Sequence, residues 1–183
     1  MLVCPKDAIS EEMQQIGVVE IGSANGMPVV DGVLNVGEAL APPIIKAVKE
    51  QAKPDMITII DSPPGTACPM IEAVKDSDYC IMVTEPTPFG YHDLTIAVGV
   101  VRELKIPCGV IVNRANIGDD KVYNYCKDEN IPILMEIPMD RKIAEAYSDG
   151  IPLIEALPKY KDKFVQLFRK VVKFSMSNQI SEI

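Results

Sequence analysis

The chain has 183 residues, 48% of them hydrophobic, with 18 Lys and Arg against 26 Asp and Glu and a formal net charge of −8. That length and apolar content suffice for one domain with a packed core and exclude a disordered polymer. The acidic balance, with an isoelectric point near 4.7, argues against a nucleic-acid-binding surface.

No apolar run reaches the roughly 20 residues that span a bilayer, and no charged and apolar leader pattern opens the chain. A cytoplasmic protein without a membrane span is expected. The five cysteines, Cys4, Cys68, Cys80, Cys108 and Cys126, form no CxxC pair, and three fall in or beside apolar runs. Reduced thiols are expected rather than a disulfide framework.

Cys4-Pro5, with Ala8-Ile9 behind it, resembles the closing end of the ferredoxin run C-x₂-C-x₂-C-x₃-C-P. One local thiolate is too few for a four-ligand cluster, so no iron–sulfur cluster is expected in this chain alone. Cys4 reads as a relic of such a site or as a chance Cys-Pro. Residues 1–16 are accordingly taken as the remnant of a ferredoxin-like insertion, 17–175 as the main α/β domain and 176–183 as a tail. From Gly17 two β-branched runs flank Asn25-Gly26, the turn pair of a hairpin. Ala41-Pro42-Pro43 opens a helix with Ile44, Ile45, Val48 and Ala52 as its inner stripe.

The run Met56-Ile57-Thr58-Ile59-Ile60 reads as a strand buried on both faces, and Asp61 falls at its carboxyl end. In open α/β sheets ligands bind outside the carboxyl ends of the strands, where an aspartate can serve a hydrated Mg²⁺. The alternative is a strand that merely ends in a polar turn. Gly65 and Thr66 allow a close backbone approach before a helix over 69–74, with Cys68 near its start and expected to pack rather than react.

Two further apolar strands follow, Tyr79 to Thr84 and Cys108 to Val112, and a fourth runs from Ile131 to Ile137. The first leads into the loop Glu85-Pro86-Thr87-Pro88-Phe89-Gly90 and a helix near whose start His92 reads as a cap or packing residue rather than a base. The second ends in Asn113-Arg114, whose amide can pair with an adenine edge and whose guanidinium can stack on its face. An amphipathic helix over 119–128 and Pro138-Met139-Asp140-Arg141 come next. A last helix over 159–174 turns Tyr160, Phe164, Leu167, Phe168 and Val171 to one side, and the tail from Ser175 reads as frayed.

The segments IIDSPPGTACP, VTEPTPFGYHDL, GVIVNR and IPILMEIPMDRKIAEAYSDGIPLIE, in this order, resemble the C-terminal two thirds of the MinD-like P-loop ATPases that carry an inserted ferredoxin domain. These are relatives of the Mrp, ParA, nitrogenase iron-protein and cobyrinic acid a,c-diamide synthase nucleotide-binding group. The resemblance implies a mostly parallel α/β sheet flanked by helices, of the Rossmann-like three-layer kind, incomplete at the N-terminus. It implies ATP or ADP with Mg²⁺ as ligands. Asp61 is then the Walker B acid that orders Mg²⁺, Gly65 would sense the γ-phosphate, and Ser62, Pro63, Pro64 and Thr66 would line the nucleotide. Glu85 and Pro86 would close over it, Asn113 and Arg114 would recognise adenine, and Pro138, Met139 and Asp140 would form the base-side loop.

One departure stands out, because the chain contains no GxxxxGK[ST] segment. Losing that nest of N–H donors and its lysine removes several charge-assisted contacts of roughly 1.5–3 kcal/mol each. Weak ATP binding and negligible hydrolysis by the chain alone are the expectation. Its partners would be a second copy or a complementing N-terminal chain, together with an iron–sulfur or electron-transfer protein. The competing reading is a non-catalytic α/β interaction module that kept the fold and lost the nucleotide.

Overall fold

The computed structural model describes residues 12–179, which fall into two compact units, 12–63 with 68–73 and 64–67 with 74–179. Cys4 lies outside the described residues, as does most of the segment 1–16 expected to be a ferredoxin-like remnant. Among the described residues, no helix is long and apolar enough to cross a membrane.

The first unit is built on an antiparallel hairpin of β1 (Gly17–Ala24) and β2 (Met27–Leu34). Asn25 and Gly26 take positive φ of 52° and 79°, the left-handed pair that matches the twist of a two-residue hairpin. Helix α1 (Pro42–Lys49) begins on its prolines and lays buried Ile44 toward the hairpin. A Cβ on Gly32 would sit 2.9 Å from Val48 Cγ2, so a glycine is what lets the helix approach. Lys49 Nζ donates to the Glu72 carbonyl at 2.8 Å, tying α1 to α2 (Cys68–Val74).

Two expectations fail in this unit. Residues 56–60 are not in a strand, and Ile57 and Ile59 are 68% and 88% exposed. A β-strand exists only where a neighbour completes its hydrogen bonds, and no described strand pairs with this run. Cys68 is exposed rather than packed, because it is the first residue of α2 and its side chain lies at the helix end.

The second unit holds a three-stranded parallel sheet in the order β3 (Cys80–Thr84), β4 (Cys108–Asn113), β5 (Ile133–Ile137). Helix α3 (Pro88–Glu103) packs on β3 and on α4 (Lys121–Asp128), burying Leu94, Val98, Val101, Val122 and Cys126. Beyond β5 come α5 (Arg141–Ser148), α6 (Leu153–Ala156), a 3₁₀ turn at Pro158–Tyr160 and α7 (Lys161–Gln179). Ile111, Leu134, Met135, Tyr160 and Leu167 form one buried cluster with Phe164 and Val171 against it. Val110 and Val112 alternate to the opposite face, both fully buried. Each such side chain contributes roughly 1.5–3 kcal/mol, so the central strand is the anchor of the unit.

Two local expectations are corrected here. The expected frayed tail is helical through Gln179, and the Ser175 hydroxyl donates to the Val172 carbonyl at 3.0 Å. The cap of α3 is Thr87, in extended geometry and accepting from Gly90 N at 3.1 Å. His92 lies a turn inside.

Candidate functional site at the carboxyl edge of the sheet

The parallel strands deliver their following loops to one edge, and each loop is shaped by a local device. After β3, the buried Thr84 hydroxyl donates to the Gly90 carbonyl at 2.8 Å, drawing the loop 85–90 back onto the strand it leaves. Glu85 is half-buried there and Pro86 is buried. After β4, Asn113 is half-buried and Arg114 takes a positive φ of 50°, so the chain turns sharply and aims the guanidinium at Glu85. Arg114 Nε lies 3.3 Å from Glu85 Oε1. After β5, Asp140 caps α5 by accepting from Lys142 N at 2.9 Å.

Backbone contacts then lock the three loops together. Ala115 N donates to the Ile137 carbonyl at 3.0 Å, extending the β4–β5 pairing past the strand ends, and Asp119 N donates to the Pro86 carbonyl at 3.2 Å. Gly118, at φ +78°, lies so close to Pro86 that a Cβ would fall 1.5 Å from the Pro86 oxygen. Asn116 holds Met139 from both sides, accepting its N–H at 2.6 Å and donating to its carbonyl at 3.4 Å. The Tyr123 hydroxyl donates to the Ala115 carbonyl at 3.3 Å.

Glu85, Pro86, Asn113, Arg114, Pro138, Met139 and Asp140, predicted from separate stretches of sequence, thus sit on loops that share these contacts. Pro64, Gly65 and Thr66 open the same unit, with Gly65 at φ +97°. Asp61, Ser62 and Pro63 belong to the first unit, where Asp61 is exposed and the Ser62 hydroxyl donates to the Pro63 carbonyl at 3.2 Å. Sequence reasoning missed Asn116, Gly118 and Tyr123. An asparagine and a glycine a few residues past a strand end were visible, but their partners lie 23 residues away for Asn116 and across the loop for Gly118.

The electrostatics of the edge are close to neutral pair by pair. Arg114 faces Glu85, Lys121 faces Asp119 at 3.3 Å, and Lys159 faces Asp140 at 4.0 Å. The Lys121 backbone N–H holds the Asp119 carboxyl below its usual range, and burial, with Asp140 nearby, raises the Tyr160 hydroxyl. Such an edge offers amides and carbonyls that suit an uncharged heterocycle and few free cations for a polyphosphate. For metals the donors are scattered, since among the described residues no group of three His, Cys, Asp or Glu is gathered. Cys80 and Cys108 are in register on adjacent strands, but burial pushes the Cys80 thiol up to about 11 and raises Cys108 as well.

Parallel strands with helices packed against them and polar loops at one carboxyl edge define an α/β domain compatible with the Rossmann-like and P-loop-like folds. The chain is 36% identical over 141 residues to an uncharacterized protein of Methanocaldococcus jannaschii, covering 75% of this chain and 47% of that protein. A second uncharacterized protein of that organism is 28% identical over 151 residues, 81% of this chain and 52% of that one. A Pyrococcus horikoshii protein named iron-sulfur cluster carrier protein is 30% identical over 142 residues, 68% of this chain and 46% of that one. The chain spans about half the length of the curated relatives it matches. No protein-family model matches it.

Proposed function

We propose that this chain is the base-binding portion of a MinD-type P-loop ATPase engaged in iron–sulfur or electron-transfer work. The single observation that carries the reading is the interlocked edge, where the Asn116–Met139 clasp and the Glu85–Arg114 pair hold Asn113 between the loops after β3 and β5. Asn113 presents donor and acceptor to an adenine edge, Arg114 and Pro86 flank the base, and Pro138 to Asp140 supply the loop on its other side. By the family resemblance Asp61 would hold a hydrated Mg²⁺ that offsets phosphate charge, and Gly65 would approach the γ-phosphate by its backbone. With Arg114, Lys121 and Lys159 each facing a carboxylate, the chain by itself binds ATP weakly and hydrolyses it negligibly. Relatives named for iron–sulfur carriage support the field of work.

Calorimetry with Mg-ATP, Mg-ADP and Mg-GTP tests this. The expected result is a dissociation constant on the order of 1 mM for adenine nucleotides, about tenfold tighter than for guanine, with the preference lost in Asn113→Ala. Micromolar affinity for Mg-ATP would overturn the missing-cradle argument. Equal binding of adenine and guanine nucleotides would overturn the base-edge assignment and favour the interaction-module reading.

A further inference from the structure

We propose that Cys80 and Cys108 are a reversible dithiol–disulfide pair, closed by exchange with a small aliphatic disulfide. The two residues are direct partners in the parallel register of β3 and β4, and the bond from Cys80 N to the Pro107 carbonyl at 2.9 Å fixes that register at the strand starts. Adjacent strands lie about 4.8 Å apart. That separation falls inside the Cα range of roughly 4.4–6.8 Å that a disulfide spans.

Both side chains leave the sheet on the same face, as residues in direct register on parallel strands do. Their neighbours confirm the direction. Tyr79 and Gly109 meet on the opposite face, where a Cβ on Gly109 would lie 2.6 Å from the Tyr79 hydroxyl and 2.8 Å from Leu134 Cδ1. By alternation Cys80 then lies with buried Met82 and Thr84, and Cys108 with buried Val110 and Val112. The two thiols are close enough that a charge on Cys108 holds the proton on Cys80. All these residues belong to one compact unit, so the juxtaposition holds whatever else packs around the sheet.

The two thiols differ in access, and that sets the order of events. Cys80 is buried whereas Cys108 is partly exposed, so a reagent reaches Cys108 first. The Arg102 guanidinium favours the Cys108 thiolate and works against the burial that raises this thiol. Cys108 Sγ attacks the S–S bond of the reagent, forming a mixed disulfide and releasing one thiolate. Cys80 Sγ then attacks Cys108 Sγ, forming the internal bond and releasing the second thiolate. The pair gives up two electrons and two protons, and the small disulfide takes them up as two thiols. Burial, which pushes the Cys80 thiol up to about 11, keeps its thiolate scarce and makes the second step the slow one. The inference does not depend on the nucleotide reading.

The test uses the full chain carrying Cys4→Ser and Cys68→Ser, which leaves Cys80, Cys108 and Cys126 as its thiols. It is treated without denaturant with glutathione disulfide at about pH 8.5, the ordinary thiol value, and read by intact mass and peptide mapping. The expected product is a monomer lighter by about 2 Da, the loss of two hydrogens, with Cys80 and Cys108 in one cross-linked peptide and full reversal by dithiothreitol. Cys126→Ser in the same background is expected to leave that product unchanged. Cys80→Ala is expected to stop at the mixed disulfide, with glutathione retained on Cys108. Thiols that all stay free in the folded chain overturn the proposal. So does a bridge from Cys108 to Cys126, or a glutathione adduct that persists on Cys108 while Cys80 is present.

Discussion

Gly118→Ala is the sharpest probe of the interlocked edge, because two independent penalties coincide at this residue. Gly118 sits at φ +78°, and an added Cβ would lie 1.5 Å from the Pro86 oxygen and 2.6 Å from its carbonyl carbon. The left-handed backbone alone disfavours alanine by about 1–2 kcal/mol. The overlap cannot be relieved by a side-chain rotation, since both partners are backbone, so the loops after β3 and β4 must separate by roughly 2 Å to reach ordinary contact. That movement breaks the Asp119 N to Pro86 carbonyl bond of 3.2 Å, a further loss of about 0.5–1.5 kcal/mol. Together the destabilisation is about 1.5–3.5 kcal/mol. With a urea slope of about 2 kcal/mol per molar, the midpoint falls by about 1–2 M. The assay is urea unfolding followed by far-UV circular dichroism and tyrosine fluorescence, as the chain has no tryptophan. Gly99→Ala is the control, since Gly99 lies within α3 with no atom within 4 Å of its added Cβ, and it is expected to stabilise slightly through helix propensity. A Gly118→Ala midpoint within error of the unsubstituted chain would refute the close approach and with it the joined loops.

Asn116→Ala removes both bonds to Met139; amide exchange at Met139 should speed by about tenfold, and unchanged exchange would contradict the clasp. Tyr79→Phe should hold or raise stability by up to about 1 kcal/mol, because the Tyr79 hydroxyl is buried without a hydrogen-bond partner; a clear loss of stability in urea would show that the hydroxyl is satisfied. Burial, with Cys108 and Cys80 nearby, pushes the Tyr79 hydroxyl from 10.0 up to about 12. The folded state therefore favours the protonated form, a contribution fully present below the unfolded value and lost as pH rises from 10.0 to about 12. Stability measured across that window should decline less steeply in Tyr79→Phe than in the parent. Among the described thiols, iodoacetamide near pH 8 should modify exposed Cys68 first, and Cys80 and Cys126 only on unfolding, since both are buried; mass mapping that finds Cys80 labelled in the folded chain would contradict its burial.

Features set by neighbours in the chain were legible without coordinates. Asn25-Gly26 specifies its turn through the left-handed backbone those residues tolerate, and the hairpin follows in register. The apolar runs at Tyr79 to Thr84, Cys108 to Val112 and Ile131 to Ile137 announced strands, and the central one, β4, is the one buried along both faces. Asn113 and Glu85 were legible as strand-end polar residues. Cys68 was misread, because burial of a small thiol depends on what packs over a helix end, not on the residue itself.

What the sequence by itself determined is the class of local structure and the order in which polar loops meet the strand ends, since turn chemistry and hydrophobic periodicity act over a few residues. Only the tertiary structure decided that Asn116 clasps Met139, that Gly118 presses on Pro86, and that residues 56–60 remain an exposed run rather than a strand. Hydrogen bonds between segments far apart in the chain depend on which partners the fold brings within about 3 Å, and no local preference encodes that.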